Sequence, residues 1–430
     1  MVKKIRKLLP LFSVAMLTAC ANYTFDYVVP SYPGEKLADV NEDDGIADGG
    51  SYSIKIWCDN RIEILTSTQV NSWVTAQNGK YKIDLRIDPM GEDSAASTML
   101  EGVDVGADIF VFAQDQLAQL KTAQALAPIT GDFLDAMKES MDSDGIEAAT
   151  IGDKVYAFPF TGDNGYFLYY DKRELNEDEV KDMAKIITKA RQKNKKIAYS
   201  VLNNGYYTAS YFMGAGCVSE WTINNKNKFS DYYDTYNTEK GLIAAKGIRD
   251  LHKDEDLFIA ESKFSQLISG KAIAAVSGIW NYAIAEEKLG DNFGCCELPY
   301  YTVDGEQYHI SSFKGYKLMG IKRQADAKKM SVCMRIARYL TSESCQKERF
   351  DSVSWGPTNL KAMELPAVLN HKGLKALREQ NVYAQNQKPC PSNWFSQVTG
   401  IATTIRNSSS DAELRKILED YASSLDDLKG

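Results

Sequence analysis

The stretch Gly270-Lys271-Ala272-Ile273-Ala274-Ala275-Val276-Ser277-Gly278-Ile279-Trp280 decides how the chain folds. Just before it, Phe264, Leu267 and Ile268 close a helix, and Gly270 stands where a C-cap is wanted. Ala272 to Val276 is a short unbroken apolar run, the mark of a buried strand. Gly278 turns the chain, which presents Trp280 at the carboxyl edge of that strand. Open α/β sheets hold their ligands at this edge.

The same rhythm runs outward in both directions. Ile54 and Ile56 sit in a short β-type run ending at Trp57, and Ile62, Leu65, Val70 and Trp73 follow on one helical face. Tyr81 to Ile87 alternates, Met99 to Val103 is helical, Ala107 to Phe112 is a buried strand, and Leu117, Leu120 and Ala123 mark a further helix. A second set starts near Gly162. Val180, Met183, Ile187 and Ala190 share a helix face, and Lys196 to Val201 is strand-like. Leu242, Ala245, Ile248 and Leu251 form a face entered through Asn237 or Thr238 as N-cap. Alternating strands and helices over 430 residues predict α/β architecture in two lobes, each a doubly wound, mostly parallel sheet.

The first 50 residues are of another kind. Lys3, Lys4, Arg6 and Lys7 precede an apolar stretch, Leu8 to Ala19, which is too short to span a bilayer. The spans predicted are a signal peptide over 1–19 and a flexible tether over 20–50, rich in Pro, Gly and acidic residues. Removing the signal takes away four basic and no acidic residues, so the net charge goes from −8 to −8 − 4 = −12. With no basic block beyond the N-terminus, nucleic acid is not an expected partner. Three histidines far apart, His252, His309 and His371, and the absence of a CxxC pair give no metal signature, and there is no GxxxxGK[ST] for ATP. No metal, cofactor or catalytic residue is predicted. Beyond Cys20, seven cysteines remain, an odd number that leaves at least one free thiol; buried inert Cys is the default reading, an anaerobic host the alternative.

Leu17-Thr18-Ala19-Cys20 resembles the lipobox of bacterial lipoproteins, which implies cleavage before Cys20 and its lipidation. The order of motifs in the body resembles the extracellular solute-binding proteins of sugar ABC importers, the family of the maltose-binding protein, over about residues 51–420. Ile54 to Trp57 looks like the family's opening strand, with the polar loop Cys58-Asp59-Asn60-Arg61 at the ligand cleft. Ala107 to Asp115 is similar to its "PDI" strand and the loop after it. There Phe112 falls at a sugar-stacking position and Asp115 at a hydroxyl-binding one, while Gln116 stands where the maltose binders have an Arg. Gly152 to Pro159 resembles the "dGkiyaiP" stretch, and Asp163 falls where a sugar-contacting Glu is found. Tyr166 to Leu175 is similar to "lyYNKdlf", Tyr206 and Tyr207 lie near a ligand-contact segment, and Gly270 to Trp280 matches "GkaAm...G.W" with Trp280 at a stacking position. Lys314 to Ile321 resembles the strand after the second crossing, Trp355 to Thr358 the "G.iP" segment, and Asn393-Trp394 the late helix start.

The resemblance implies a two-lobed binding-protein fold with three crossings, near Thr161, near Leu298 to Tyr300 and near Ser354 to Pro357. The N-terminal lobe is then 51–161 plus 299–353 and the C-terminal lobe 162–298 plus 354–430. It implies a monomeric, lipid-anchored protein outside the cytoplasmic membrane that takes a carbohydrate, an oligosaccharide above others, and delivers it to the membrane subunits of an ABC permease. Ligand-contact candidates are Trp57, Asp59, Asn60, Phe112, Asp115, Gln116, Asp163, Tyr206, Tyr207, Trp280, Trp355 and Trp394. The residue types suit the task, because sugars offer C–H faces to aromatic rings and hydroxyls to carboxylates and amides. Each position has a plainer alternative: sheet-edge packing for Trp57, a helix N-cap for Asp115, a hinge turn for Asp163, core packing for the other tryptophans. Two other function classes stay open, a secreted carbohydrate-active enzyme using Asp115 and Asp163 as its carboxylate pair, and a surface adhesion lipoprotein. Relatives of this architecture also bind amino acids, polyamines and metal complexes.

Overall fold

Ten strands build two sheets in the computed structural model, which describes residues 50–224, 228–391 and 393–429. The expected signal peptide, Cys20 and the tether up to residue 49 lie outside the described residues. In the first lobe the strands are β1 (Gly50–Cys58), β2 (Tyr81–Pro89), β3 (Ile109–Ala113), β4 (Ala157–Thr161) and, much later in sequence, β10 (Lys317–Ile321). In the second they are β5 (Phe167–Asp171), β6 (Lys196–Ala198), β7 (Phe258–Ile259), β8 (Ala272–Ser277) and β9 (Phe293–Cys296). The spatial orders are β2-β1-β3-β10-β4 and β7-β6-β8-β5-β9.

β1 pairs in parallel with β2 and β3, while β10 is antiparallel to both β3 and β4. The second sheet repeats the scheme: β6 is parallel to β7 and β8, and β5 is antiparallel to β8 and β9. Each sheet therefore has four strands in one direction and one reversed. The reversed strand is in both cases the first one laid down after the chain arrives from the other lobe. A chain entering from the facing lobe runs into the sheet from the opposite end, so the reversal follows from the crossing.

The period-2 rule decides which side of the second sheet each residue serves. On β5, Phe167 and Tyr169 join a cluster continuous with the first lobe's core, while Leu168 and Tyr170 belong to a separate cluster on the other face. Helices close that second face. Thr238 is the N-cap of Glu239–Leu251, and the helix Trp394–Asn407 follows Asn393 at its N-cap. All seven cysteines among the described residues are unpaired.

The second crossing does not lie at 298–300. There the chain forms a hairpin, Tyr300–Val303 with Glu306–His309, which packs on the second lobe. Tyr301 and Val303 are buried in that lobe's core, and the Tyr301 hydroxyl donates to the Tyr211 carbonyl at 3.0 Å. Helix Gly205–Gly214 ends against the hairpin: a Cβ on Gly214 would stand 2.3 Å from the His309 carbonyl oxygen. The segment 299–311 thus belongs with the C-terminal lobe, and the chain crosses at about 312–316. The hairpin escaped sequence reading because the apolar residues Tyr301 and Val303 are indistinguishable from a strand of either sheet.

The three crossings lie side by side. The Gly162 N–H donates to the Gly356 carbonyl at 3.0 Å and the Asn164 N–H to the Gly315 carbonyl at 3.1 Å. The third is fastened to the first lobe by Gln346, on helix Glu343–Val353. Its carboxamide oxygen accepts the N–H groups of Thr358 (2.6 Å) and Asn359 (3.0 Å), and its nitrogen donates to the Thr341 carbonyl (2.8 Å). Replacing Gln346 by Leu keeps the volume and strands these buried backbone groups, so Gln346→Leu should destabilise the fold by about 2–4 kcal/mol. Urea denaturation followed by far-UV circular dichroism measures this; a loss below about 1 kcal/mol would show that the fastening is replaced by water.

Candidate functional site

The carboxyl ends of β1, β3 and β8, the end of β4 and the start of β10 face one cleft between the lobes. β1 runs into Asp59, whose side chain accepts the Arg61 N–H at 2.8 Å and caps the turn Asn60–Ile62. The Arg61 guanidinium returns to the same carboxylate, Nε–Oδ1 2.7 Å and Nη2–Oδ2 2.6 Å. Burial pushes the Asp59 carboxyl up, but the bonds from Arg61 outweigh it and hold the group below the usual range. The free end of Arg61 crosses the cleft: Nη1 donates to the Trp280 carbonyl at 2.8 Å.

Trp280 is placed by two features of β8 and its turn. Its ring folds back over Gly278, where a Cβ would stand 2.0 Å from the indole; a side chain there would expel the ring. Glu261 Oε1 takes the Trp280 indole N–H at 3.3 Å, the Asn281 amide at 3.0 Å and the Ser277 hydroxyl at 2.5 Å. Lys317, the first residue of β10, stands over this ring at 5.6 Å and over the Trp355 ring at 4.3 Å. Its ammonium lies 3.4 Å from Glu92. Arg61 covers Trp355 as well, at 5.1 Å.

Asp163 sits on the first crossing, 1% exposed, with Oδ2 accepting the Gly356 N–H at 2.5 Å. Burial pushes its carboxyl up, against the pull of Lys317. At the other end of the cleft the loop after β3 brings Asp115 towards Tyr206 and Cys390; burial first, and Asp115 next, raise the Tyr206 phenol and the Cys390 thiol. Burial moves Asp115 itself up to about 6. Gln116 donates to the Asp93 carbonyl at 2.6 Å. Tyr206 stacks on Phe313 at 5.1 Å and meets Phe395 edge-on at 6.0 Å. Both rings line a cavity of about 290 Å³ with Trp394 and Cys390.

Of the twelve candidates, Asp59, Asp163, Trp280 and Trp355 gather around Lys317, and Asp115, Gln116 and Tyr206 stand at the far end. Asn60 is exposed on the intervening turn. Trp57 and Phe112 pack in the first lobe's core, Trp57 edge-on to Phe110 at 6.4 Å and Phe112 against Phe110 at 5.4 Å. Tyr207 packs on Tyr166 and Tyr199 in the second lobe. Trp394 is buried there too, with its indole N–H on the Tyr421 hydroxyl at 3.0 Å. Sequence reading missed Glu92, Glu261 and Lys317. A lone lysine at the mouth of the apolar run Lys317–Ile321 was the one available signal; the two glutamates stand in stretches without pattern.

Among the polar atoms buried around this cleft without a hydrogen-bond partner are Asp115 Oδ1, Gln116 Oε1, Asp163 Oδ1, Tyr206 Oη and Trp355 Nε1. Orphan groups at such density cost stability and are commonly satisfied by what binds. Four of these five are oxygens, three of them pure acceptors, which suits a ligand rich in hydroxyl donors. Among the described residues no group of three or more His, Cys, Asp or Glu can hold a metal.

The Asp115 value carries a sign. Its carboxyl binds its proton more tightly in the folded chain than in the unfolded one, so stability falls as pH rises from about 4 to about 6 and then levels. Asp115→Asn should flatten that slope and add on the order of 2 kcal/mol at pH 7.5, read from urea denaturation at a series of pH values. An unchanged slope would place the Asp115 carboxylate in water.

Comparison with known proteins adds to this geometry. Residues 72–376 match the family described as bacterial extracellular solute-binding protein. A galactooligosaccharide-binding protein of Bacillus subtilis (strain 168) is 25% identical over 260 residues, spanning 56% of this chain and 58% of that protein. The fold is that of the maltodextrin binding protein MalE1 from L. casei BL23, with a TM-score of 0.73 at 21% identity over 87% of this chain and 99% of the other. It is also that of the GacH receptor of Streptomyces glaucescens GLA.O, at 0.70, 17% identity, 87% and 98%.

Proposed function

We propose that this chain, which belongs to the bacterial extracellular solute-binding protein family, captures an oligosaccharide between its lobes and hands it to a membrane permease. The observation that carries this reading is a cleft with the Trp280 and Trp355 rings and the orphan Asp163 oxygen near Lys317, and the orphan atoms of Asp115, Gln116 and Tyr206 at its far end. Aromatic faces take the C–H side of a sugar ring, and the orphan carboxylate and amide oxygens take its hydroxyls. The names of similar proteins, a galactooligosaccharide binder and a maltodextrin binder, point the same way.

Ligand groups that bridge the lobes are bound only when the cleft is shut, so ligand shifts the balance towards the closed form. Arg61 and the Trp280 carbonyl then form part of the seam. No reaction accompanies capture. The family and the similar proteins are described as binding proteins, and on this reading the sugar is recovered unchanged. Delivery falls to a permease and its ATPase on separate chains. Retention at the membrane is the work of a lipid on Cys20, which closes the lipobox-like stretch Leu17-Thr18-Ala19-Cys20.

A thermal-shift screen of mono- and oligosaccharides identifies the ligand. One present at a hundred times its Kd stabilises the native state by about 2.7 kcal/mol. With that ligand, Trp280→Ala should lower affinity at least about 30-fold by calorimetry, with the circular dichroism spectrum unchanged. Unaltered affinity in a folded variant removes Trp280 from the site. For the anchor, Cys20→Ala should release the protein from the membrane fraction; a variant held as firmly as wild type refutes lipidation.

A further inference from the structure

A second cavity, of about 460 Å³, opens on the first lobe away from the cleft residues. That volume is typical of small-molecule sites. Its apolar wall is Trp73 from the helix Glu63–Ala76, Met137 from the helix Gly131–Ser140, and Phe158 of β4. Its polar wall is cationic. Arg335 and Arg338 stand one turn apart on the helix Ala327–Leu340, and Glu343 is the one carboxylate on the lining. The Arg335 Nε is buried and has no hydrogen-bond partner. A guanidinium keeps its charge at any physiological pH, so a buried, unmatched donor of this kind is satisfied by an acceptor brought from outside.

The chemistry is the inverse of the cleft, where the orphan atoms are mostly acceptors. We propose that this cavity is a binding site for a small organic anion, with a phosphate or carboxylate on the Arg335–Arg338 side and a flat apolar body against Trp73, Met137 and Phe158. Arginine suits the planar or tetrahedral oxyanion because its donors form a fixed fork. Trp73 is itself braced by stacking on Tyr81 at 5.2 Å, which keeps its position as a flat wall.

Phenyl phosphate is the probe, and benzyl alcohol its neutral counterpart. Calorimetry at pH 7.5 should show phenyl phosphate binding to the full chain and benzyl alcohol at least tenfold weaker. Arg335→Gln should weaken phenyl phosphate at least tenfold, and Met137→Trp, which fills the cavity and leaves both arginines, should abolish binding. Both variants are checked for a native circular dichroism spectrum. Trp280→Ala should bind phenyl phosphate as wild type does, which separates this cavity from the cleft. Absence of binding, equal binding of the neutral compound, or loss in Trp280→Ala with retention in Arg335→Gln each overturns the proposal.

Discussion

One hydrogen bond ties the crossings to the cleft: the Gly356 N–H, on the third crossing, donates to Asp163 on the first at 2.5 Å. A buried carboxylate is costly unless its oxygens are matched, and Asp163 is matched on one oxygen only. The matched oxygen fixes two crossings side by side; the other is buried without a hydrogen-bond partner. Any group that satisfies it must act on the same carboxylate that holds the crossings together. On the proposed reading, shape and binding share a residue.

The remaining cleft charges obey the same economy. Asp59 and Arg61 neutralise each other within a single turn, and Lys317 is held by Glu92 and by two indole faces. Its aromatic neighbours therefore serve a purpose besides stacking: they make a low-dielectric site tolerable to a cation. Since Lys317 opens the reversed strand of its sheet, the topology itself delivers the charge to the cleft.

Much of this was legible in the residues. The run Ala272 to Val276 announced a buried strand, and all six residues of Ala272–Ser277 are buried. The resemblance carried Trp280 and Asp163 to the cleft. Trp57 and Phe112 show why strand residues mislead: alternation assigns a side chain to one of two faces, but sequence does not say which face is core and which is cleft. Glu261 was illegible for another reason. Its role depends on three donors, Ser277, Trp280 and Asn281, that come from a segment sixteen or more residues away. The 300–309 hairpin was missed because either sheet could have accepted its two apolar residues.

On the proposed reading, the three crossings that lie side by side serve as a hinge about which the lobes rotate. The rims that such a rotation moves carry Ile64, 83% exposed at the start of the helix after Asp59, and Ile284, 40% exposed just beyond Trp280. Neither side chain supports the core. The seven cysteines among the described residues are buried or half-buried, so a cysteine introduced at either rim is more open to a thiol-reactive dye than any of these. The molecule is in this sense already laid out as a reagentless optical sensor. On the proposed reading, its signal would report the angle between the lobes.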